Sequence, residues 1–225
     1  MMTEIVLQPR VLEAKDWATF LFLFAFVLIA ITRTAFETRF NDFLKILVSD
    51  KYIKVYKDTS HLMSGFTVLL FIVQVISFSF FIQLVLAHFG HVSKTDWVLF
   101  IRIFTFFGVF VLSKFLIEKI IATTFNIEEF TEQFNLQKVS YRTFIGLLLL
   151  PVNIYLFYNN NSSNVLIFCV IGVILIINLF SYFVSLKIYQ NLLLSKLFYF
   201  ILYLCALEIA PYYFIYYLIT KNLAH

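Results

Sequence analysis

Glu208 is the ionisable residue whose position most clearly indicates chemistry. It lies near the middle of the long apolar segment 197–219, and Pro211 follows it by three residues. Proline has no backbone N–H, so within a helix it leaves the carbonyl of Leu207 without its usual partner. If the segment crosses a bilayer, a carboxyl group there costs about 2.5–3.5 kcal/mol on insertion scales, and such a group usually faces a partner or a cavity.

Three amide side chains are predicted to lie at a depth similar to that of Glu208. They are Gln74, Asn153 and Asn178, each in a different apolar segment, and helix geometry places them within about 5 Å of one level. Pro151 is predicted to break the helix beside Asn153. This polar layer fits hydrogen bonding between helices. The alternative is the lining of a proton or ion path.

Arg102, Lys114 and Glu118 are the charged residues that can meet this layer. Arg102 and Lys114 each lie about 9 Å from Glu208 in depth, so a long side chain or a bridging water can pair either one with the carboxylate. Alternatively, Arg102 extends outward to the bilayer surface and Lys114 pairs with Glu118, four residues further along the same helix. The sequence leaves these pairings open.

Metal-binding and catalytic patterns are missing from the sequence. His88 and His91 have the spacing of one helix face, but a third ligand is absent, so no metal site is predicted. Cys169 and Cys205 are expected at depths about 15 Å apart, too far for a disulfide. No hydrolase, metalloprotease or phosphate-loop motif occurs. We therefore expect a protein that is not an enzyme and that has no cofactor.

The composition indicates that these residues are carried by membrane-spanning helices. Of the 225 residues, 62% are hydrophobic and 13% are charged, and the mean hydropathy is +0.92. A soluble domain has about 25% charged residues. A span needs about 20 mostly apolar residues. We predict a single all-α integral membrane domain over residues 1–225, a bundle with six transmembrane helices at about 17–32, 61–87, 97–115, 143–158, 165–186 and 197–219.

The distribution of basic residues predicts the orientation of the bundle. Most of the 17 Lys and Arg residues fall in the connections after the first, third and fifth spans. Basic residues stay preferentially on the cytoplasmic side, so both termini are expected outside. Basic loops beside an anionic leaflet also account for the net charge of +4. No nucleic-acid partner is expected.

One or two cytoplasmic helices are expected to lie along the membrane surface. Phe36, Phe40, Phe43, Leu44 and Leu47 would share one face of the first, which therefore reads as an interfacial helix. The acidic segment Ile127–Phe134 is predicted to continue the third span beyond the membrane. Its acidic face suits solvent or a partner protein better than anionic lipid.

Three segments of the chain resemble a family of polytopic bacterial membrane proteins, domain of unknown function 4271 of the Bacteroidetes. They are FNDFLK at 40–45 with KY at 51–52, SKFLIEKII at 113–121 followed by FNIE, and FYFILYLCALEIAPY at 198–212. The last segment is the most specific and contains Glu208 and Pro211. The resemblance implies a multi-pass protein of the inner membrane of a bacterium that also has an outer membrane. It implies no activity.

The functional expectation follows from this small, apolar architecture. We expect a non-enzymatic inner-membrane subunit or assembly factor of a cell-envelope complex, in contact with membrane lipids and other integral membrane proteins, with a homo-oligomer also possible. The alternative is a small proton-linked transporter or channel that uses Glu208. A third possibility is an enzyme acting on lipid, which would need a water-accessible cavity that reaches Glu208.

Overall fold

The structure, a computed structural model, describes residues 15–46, 52, 55–56, 64–90, 92–124, 128–159 and 165–179. Within these residues it has six helices of eight residues or more. The helices are α1 (Asp16–Ala35), α2 (Glu37–Leu44), α3 (Gly65–His88), α4 (Trp97–Thr124), α5 (Glu128–Tyr158) and α6 (Val165–Leu179). These ranges contain no strand. Four helices, α1, α3, α4 and α5, are long and apolar enough to cross a membrane. The predicted span 197–219 lies outside the described residues.

Two boundaries differ from the sequence-based predictions. The acidic segment does not extend the third span, because α4 ends at Thr124 and Glu128 begins α5. Pro151 does not break α5, which continues to Tyr158. Pro151 lies on the exposed side of α5, whereas Leu150 and Asn153 are buried against the bundle. Packing of these neighbours on α3 holds the helix together across the missing hydrogen bond.

The central element of the bundle is α3, which packs against α1, α4 and α5. Of the 18-residue apolar stretch of α3, 61% is buried inside the bundle, whereas 11% of the corresponding stretch of α4 is buried. The first helix presents a stripe of buried residues at spacings of three and four, namely Ala18, Phe22, Ala25, Leu28 and Thr32. This spacing is typical of a helix that packs along one face. Among the described helices, α3 is therefore the one around which the others pack.

An aromatic cluster closes one end of the bundle. The indole ring of Trp17 stacks on Phe80 with ring centroids 5.7 Å apart, and it lies 5.3 Å from the ring of Phe100. Its Nε1 donates a hydrogen bond to the carbonyl of Thr95 at 3.2 Å. Buried aromatic pairs of this kind add about 0.5–1.5 kcal/mol beyond their buried area. The cluster thus holds α1, α3 and α4 together at this end.

The short helix α2 lies at the opposite end, and its apolar face contacts protein. Phe40 and Phe43 are buried in a cluster with residues of α3 and α5, including Phe66 and Phe144, while Leu44 remains exposed. The expectation that this face rests on the membrane surface is therefore wrong for Phe40 and Phe43. Aromatic side chains bury their area more completely against other rings, here Phe66 at 5.8 Å from Phe43, than at a lipid interface.

Arg39 on α2 lies on the buried side of that helix. Its guanidinium donates to Ser64 Oγ at 2.7 Å and lies 4.6 Å from the centre of the Phe66 ring. It also contacts Tyr52, whose hydroxyl lies 3.5 Å from Nη2. Burial raises the pKa of Tyr52 above its usual value of 10.0, and Arg39 opposes part of this rise. Tyr52 is therefore protonated at neutral pH.

Alkaline pH is expected to destabilise the parent protein more than a Tyr52→Phe variant. Folding raises the pKa of Tyr52. The contribution of its neutral hydroxyl to stability is therefore fully present below the unfolded-state pKa of 10.0 and is lost as the pH rises through the folded-state pKa. The phenyl ring of the variant does not titrate, so this part of the loss disappears. The measurement is the unfolding temperature in detergent at about pH 8 and about pH 11. Tyr56→Phe is the control. If the unfolding temperature falls by the same amount between the two pH values in both variants, the prediction is contradicted.

Candidate functional site

A cavity of about 740 Å³ lies between α3, α4 and α6, with Arg142 of α5 also in its wall. The contribution of α4 is a continuous stripe from Arg102 to Lys114, in which lining residues recur at helical spacing. Phe78 of α3 and Leu175 of α6 face this stripe across the cavity. Volumes of about 300–1,000 Å³ are typical of ligand sites. This cavity is the candidate functional site.

Among the described residues, every charged residue that lines the cavity is basic. Arg102 lies near the beginning of α4, and Lys114 follows twelve residues later, which corresponds to about 18 Å along a helix. Lys138, four residues before Arg142, pairs with Glu118, four residues after Lys114, so Arg142 lies at the same end of the cavity as Lys114. Arg142 is half-buried, and no ion pair or hydrogen bond of its side chain occurs within the described residues. The cavity therefore has a cation at each end.

Two of the predicted amides also line the cavity. Gln74 is buried, and its Oε1 accepts a hydrogen bond from Thr143 Oγ1 at 2.9 Å. Asn178 donates from Nδ2 to the carbonyl of Ile174 at 2.8 Å, within its own helix. The cavity thus brings together Gln74, Asn178, Arg102 and Lys114, which the sequence had placed in one polar layer or beside it. Their remaining amide groups can serve a polar ligand.

Asn153 has a different role from the other amides, because it lies in the contact between α3 and α5. Its Nδ2 donates to the carbonyl of Ser77 at 2.7 Å and contacts Ser77 Oγ at 3.2 Å. Gly146 allows the close approach of these helices, since a Cβ there would lie 3.0 Å from the Cα of Gln74. For Asn153, the hydrogen bond between helices is thus the interpretation that the contacts support.

Glu118 forms an ion pair with Lys138 of α5, with Nζ to Oε1 at 3.1 Å. Both residues are buried, and Lys138 Nζ also lies 5.6 Å from the centre of the Phe134 ring. Gln137, beside Lys138, is fully buried, and both polar atoms of its amide lack a hydrogen-bond partner. Of the three charged residues considered from the sequence, Glu118 is thus assigned to the contact between α4 and α5.

The sequence-based reasoning missed Arg142, Lys138 and Thr143 as members of these polar contacts. Two spacings in the sequence point to them. Lys138 and Arg142 are four residues apart, as expected for one face of a helix. Thr143, Gly146 and Asn153 lie at intervals of three and seven, which is typical of a helix packing stripe. The predicted start of the fourth span at residue 143 obscured both patterns.

Several predicted residues lie outside the described part of the chain. These are Glu208 and Pro211, together with Cys205 and His91. Cys169 is described and is an exposed free thiol. Within the described ranges, no group of three or more His, Cys, Asp or Glu residues is placed to hold a metal ion. The site defined by the described residues is therefore a basic, largely apolar cavity.

The long apolar helices and the cavity between them define an α-helical membrane protein. The chain belongs to the family described as domain of unknown function DUF4271, whose model matches residues 18–219. The resemblance found in the sequence is thereby confirmed. No curated protein and no solved structure matches the chain.

Proposed function

We propose that the protein is a non-enzymatic membrane subunit or assembly factor that binds another integral membrane protein of the bacterial cell envelope through α4. The observation that carries the proposal is the exposure of this helix. Only 11% of its 18-residue apolar stretch is buried inside the bundle. Val109, Leu112 and Leu116 are each more than half exposed. A helix that packs so little on its own bundle has most of its surface available for another protein.

The composition of this surface also supports docking. Thr105 and Ser113 are exposed on α4 among the apolar residues. Hydroxyl groups and small residues favour helix contacts in membranes, because they allow close approach and hydrogen bonds between helices. The exposed face of α4 therefore combines apolar area with two hydroxyl groups.

The proposed setting is the inner membrane of a bacterium with two membranes. The bundle would have six spans, with both termini outside and the basic connections at the cytoplasmic leaflet. Lys45, directly after α2, and Lys119 of α4 are exposed at that proposed side. Attraction of basic residues to an anionic leaflet amounts to about 1 kcal/mol each, which favours this orientation.

Purification in mild detergent with matched tryptophan variants tests the docking proposal. The parent is expected to co-purify with an integral membrane protein in fixed ratio, and Val109→Trp is expected to lose it because the larger ring prevents close helix packing. Leu23→Trp, at a position 62% exposed on α1, is the control and should retain the partner. Recovery of the parent only as a lone monomer would contradict the proposal, and recovery with itself alone would identify the partner as a second copy.

A second candidate function is that of a small proton-linked transporter or channel. The cavity favours it, because Gln74, Lys114 and Asn178 line a space within the apolar helices. Glu208 would be the titrating group. Reconstituted vesicles carrying the parent would then show proton or solute flux that is lost in Glu208→Gln. Equal flux in empty vesicles and in vesicles with the parent would contradict this function.

A further inference from the structure

We propose that the cavity between α3, α4 and α6 binds a membrane-soluble quinone, a flat ring that carries carbonyl oxygens and a hydrocarbon tail. A carbonyl oxygen accepts hydrogen bonds from Gln74 and Arg142, and the ring lies against the phenylalanine side chains of the cavity wall. The inference goes beyond the proposed function and is independent of whether α4 binds a partner protein. Three features of the cavity carry it, namely its hydrogen-bond donors, its aromatic wall and its access from the bilayer.

The first feature is a pair of hydrogen-bond donors at one end of the cavity. Gln74 is 3% exposed, and within the described residues its amide makes one hydrogen bond, in which Oε1 accepts from Thr143 Oγ1 at 2.9 Å. The Nε2 group of Gln74 therefore keeps its capacity to donate. Arg142 is next to Thr143 in the chain, and its half-buried guanidinium makes no ion pair or hydrogen bond within the described ranges. Both side chains line the cavity, so a ligand at this end meets both donors.

These donors favour a neutral ligand that accepts hydrogen bonds. A buried donor without a partner destabilises the protein, and a ligand that supplies an acceptor removes this cost. A carbonyl oxygen has two lone pairs and can accept from an amide and from a guanidinium at once. Lys114, which also lines the cavity, already has an interaction of its own and is assigned no part in binding. Because Arg142 is half-buried, a neutral acceptor is sufficient and an anion is not required.

The wall of the cavity is suited to a flat ring. Its aromatic members are Phe78 of α3 and Phe106, Phe107 and Phe110 of α4. Phe78 and Phe107 stack on each other across the contact between these helices, with ring centroids 5.7 Å apart and planes inclined by 26°. Aromatic rings attract one another beyond the effect of their buried area. A ring ligand gains this additional attraction from the wall, whereas a saturated acyl chain does not.

The cavity is accessible from the side of the bundle. Phe106 is 64% exposed although it lines the cavity. It precedes Lys114 by eight residues, about 12 Å along α4, and Arg142 lies at the Lys114 end. A ring bound at that end therefore leaves its hydrocarbon tail free to reach the bilayer beside Phe106.

Equilibrium dialysis of the purified full chain in detergent tests the carbonyl contacts. The probes are menadione, a naphthoquinone without a tail, and methylnaphthalene, which has the same ring system without carbonyl groups. The parent is expected to bind menadione about tenfold more tightly than methylnaphthalene, the value of one hydrogen bond to a charged group. Arg142→Met should lose this preference while binding methylnaphthalene as the parent does. Arg33→Met, exposed on α1 and outside the cavity wall, should keep it.

Two further variants test the second donor and the ring contact. Gln74→Met removes the amide donor, so the preference for menadione should again be lost, and this variant covers the case in which Arg142→Met does not fold. Val111→Trp fills the apolar middle of the cavity and should weaken the binding of both probes by about tenfold or more. Binding of methylnaphthalene reports that the cavity is intact in each donor variant.

Three results would overturn the proposal: equal binding of the two probes by the parent, an unchanged preference in a folded donor variant, or normal binding of both probes by Val111→Trp. Palmitate is the third probe, since it has a carboxylate and a saturated chain. Tighter binding of palmitate than of menadione by the parent, lost in Arg142→Met, would identify an anionic amphiphile as the occupant and would also overturn the proposal.

Discussion

Replacing Lys138 by methionine is expected to destabilise the protein by about 3–5 kcal/mol. The substitution keeps a long apolar side chain but leaves Glu118 without its partner at 3.1 Å. Glu118 is 4% exposed, so water cannot readily replace the lost ammonium group. The cost of one unpaired buried carboxylate therefore exceeds the net value of the intact pair. The measurement is thermal unfolding in detergent, monitored as the fraction of protein that remains monodisperse.

A matched control and a double variant distinguish this effect from a general loss of charge. Lys119→Met removes a neighbouring but exposed ammonium group and should change stability by less than about 1 kcal/mol. The double variant Glu118→Leu/Lys138→Met removes both charges and should recover most of the stability lost in the single variant. If Lys138→Met and Lys119→Met unfold at the same temperature, the ion pair does not stabilise the contact between α4 and α5.

Replacing Gly146 by leucine is expected to destabilise the bundle by about 1–3 kcal/mol. A Cβ at this position would lie 3.0 Å from the backbone Cα of Gln74, and a larger side chain would force α3 and α5 apart. Separation of these helices would also lengthen the hydrogen bonds from Thr143 to Gln74 and from Asn153 to Ser77. The expected result is a lower unfolding temperature together with a changed shape of the cavity that Gln74 lines.

The matched control is Gly172→Leu on α6. Nothing lies within 4 Å of its Cβ position, so the leucine is accommodated there without a clash. Because glycine is about 1 kcal/mol less favourable than alanine or leucine within a helix, this variant should be neutral or slightly more stable than the parent. Equal destabilisation by the two substitutions would show that the close contact at Gly146 does not limit helix packing.

The positions of the long helices were predictable because hydropathy reports directly on which segments are apolar along the chain. The predicted segments 17–32 and 97–115 lie within α1 and α4, and the segment 61–87 overlaps α3. Their ends were less predictable. A helix continues beyond its apolar core wherever its polar residues find partners, as Glu118 and Lys138 do. This is why α4 and α5 extend beyond the predicted spans at the same end of the bundle.

The same reasoning explains the errors at Pro151 and at α2. Proline removes one hydrogen bond, but the loss of that bond is local, whereas the packing of Leu150 and Asn153 on α3 acts across the whole contact. The prediction that α2 has an apolar face was correct. The prediction that the membrane surface covers Phe40 and Phe43 was wrong, because periodicity shows that one side of a helix is apolar without showing whether lipid or protein covers it.

Composition and charge pattern by themselves determined that the chain is a helical membrane protein, and the resemblance of three segments was enough to indicate its family. Only the tertiary structure decided which polar residues meet. Depth along a helix can be counted from the sequence, but rotation about the helix axis and the choice of neighbour depend on packing between distant segments. For that reason one cavity is lined by Gln74, Lys114, Arg142 and Asn178. Asn153, which the sequence places at the same depth, instead bonds Ser77 in the contact between α3 and α5.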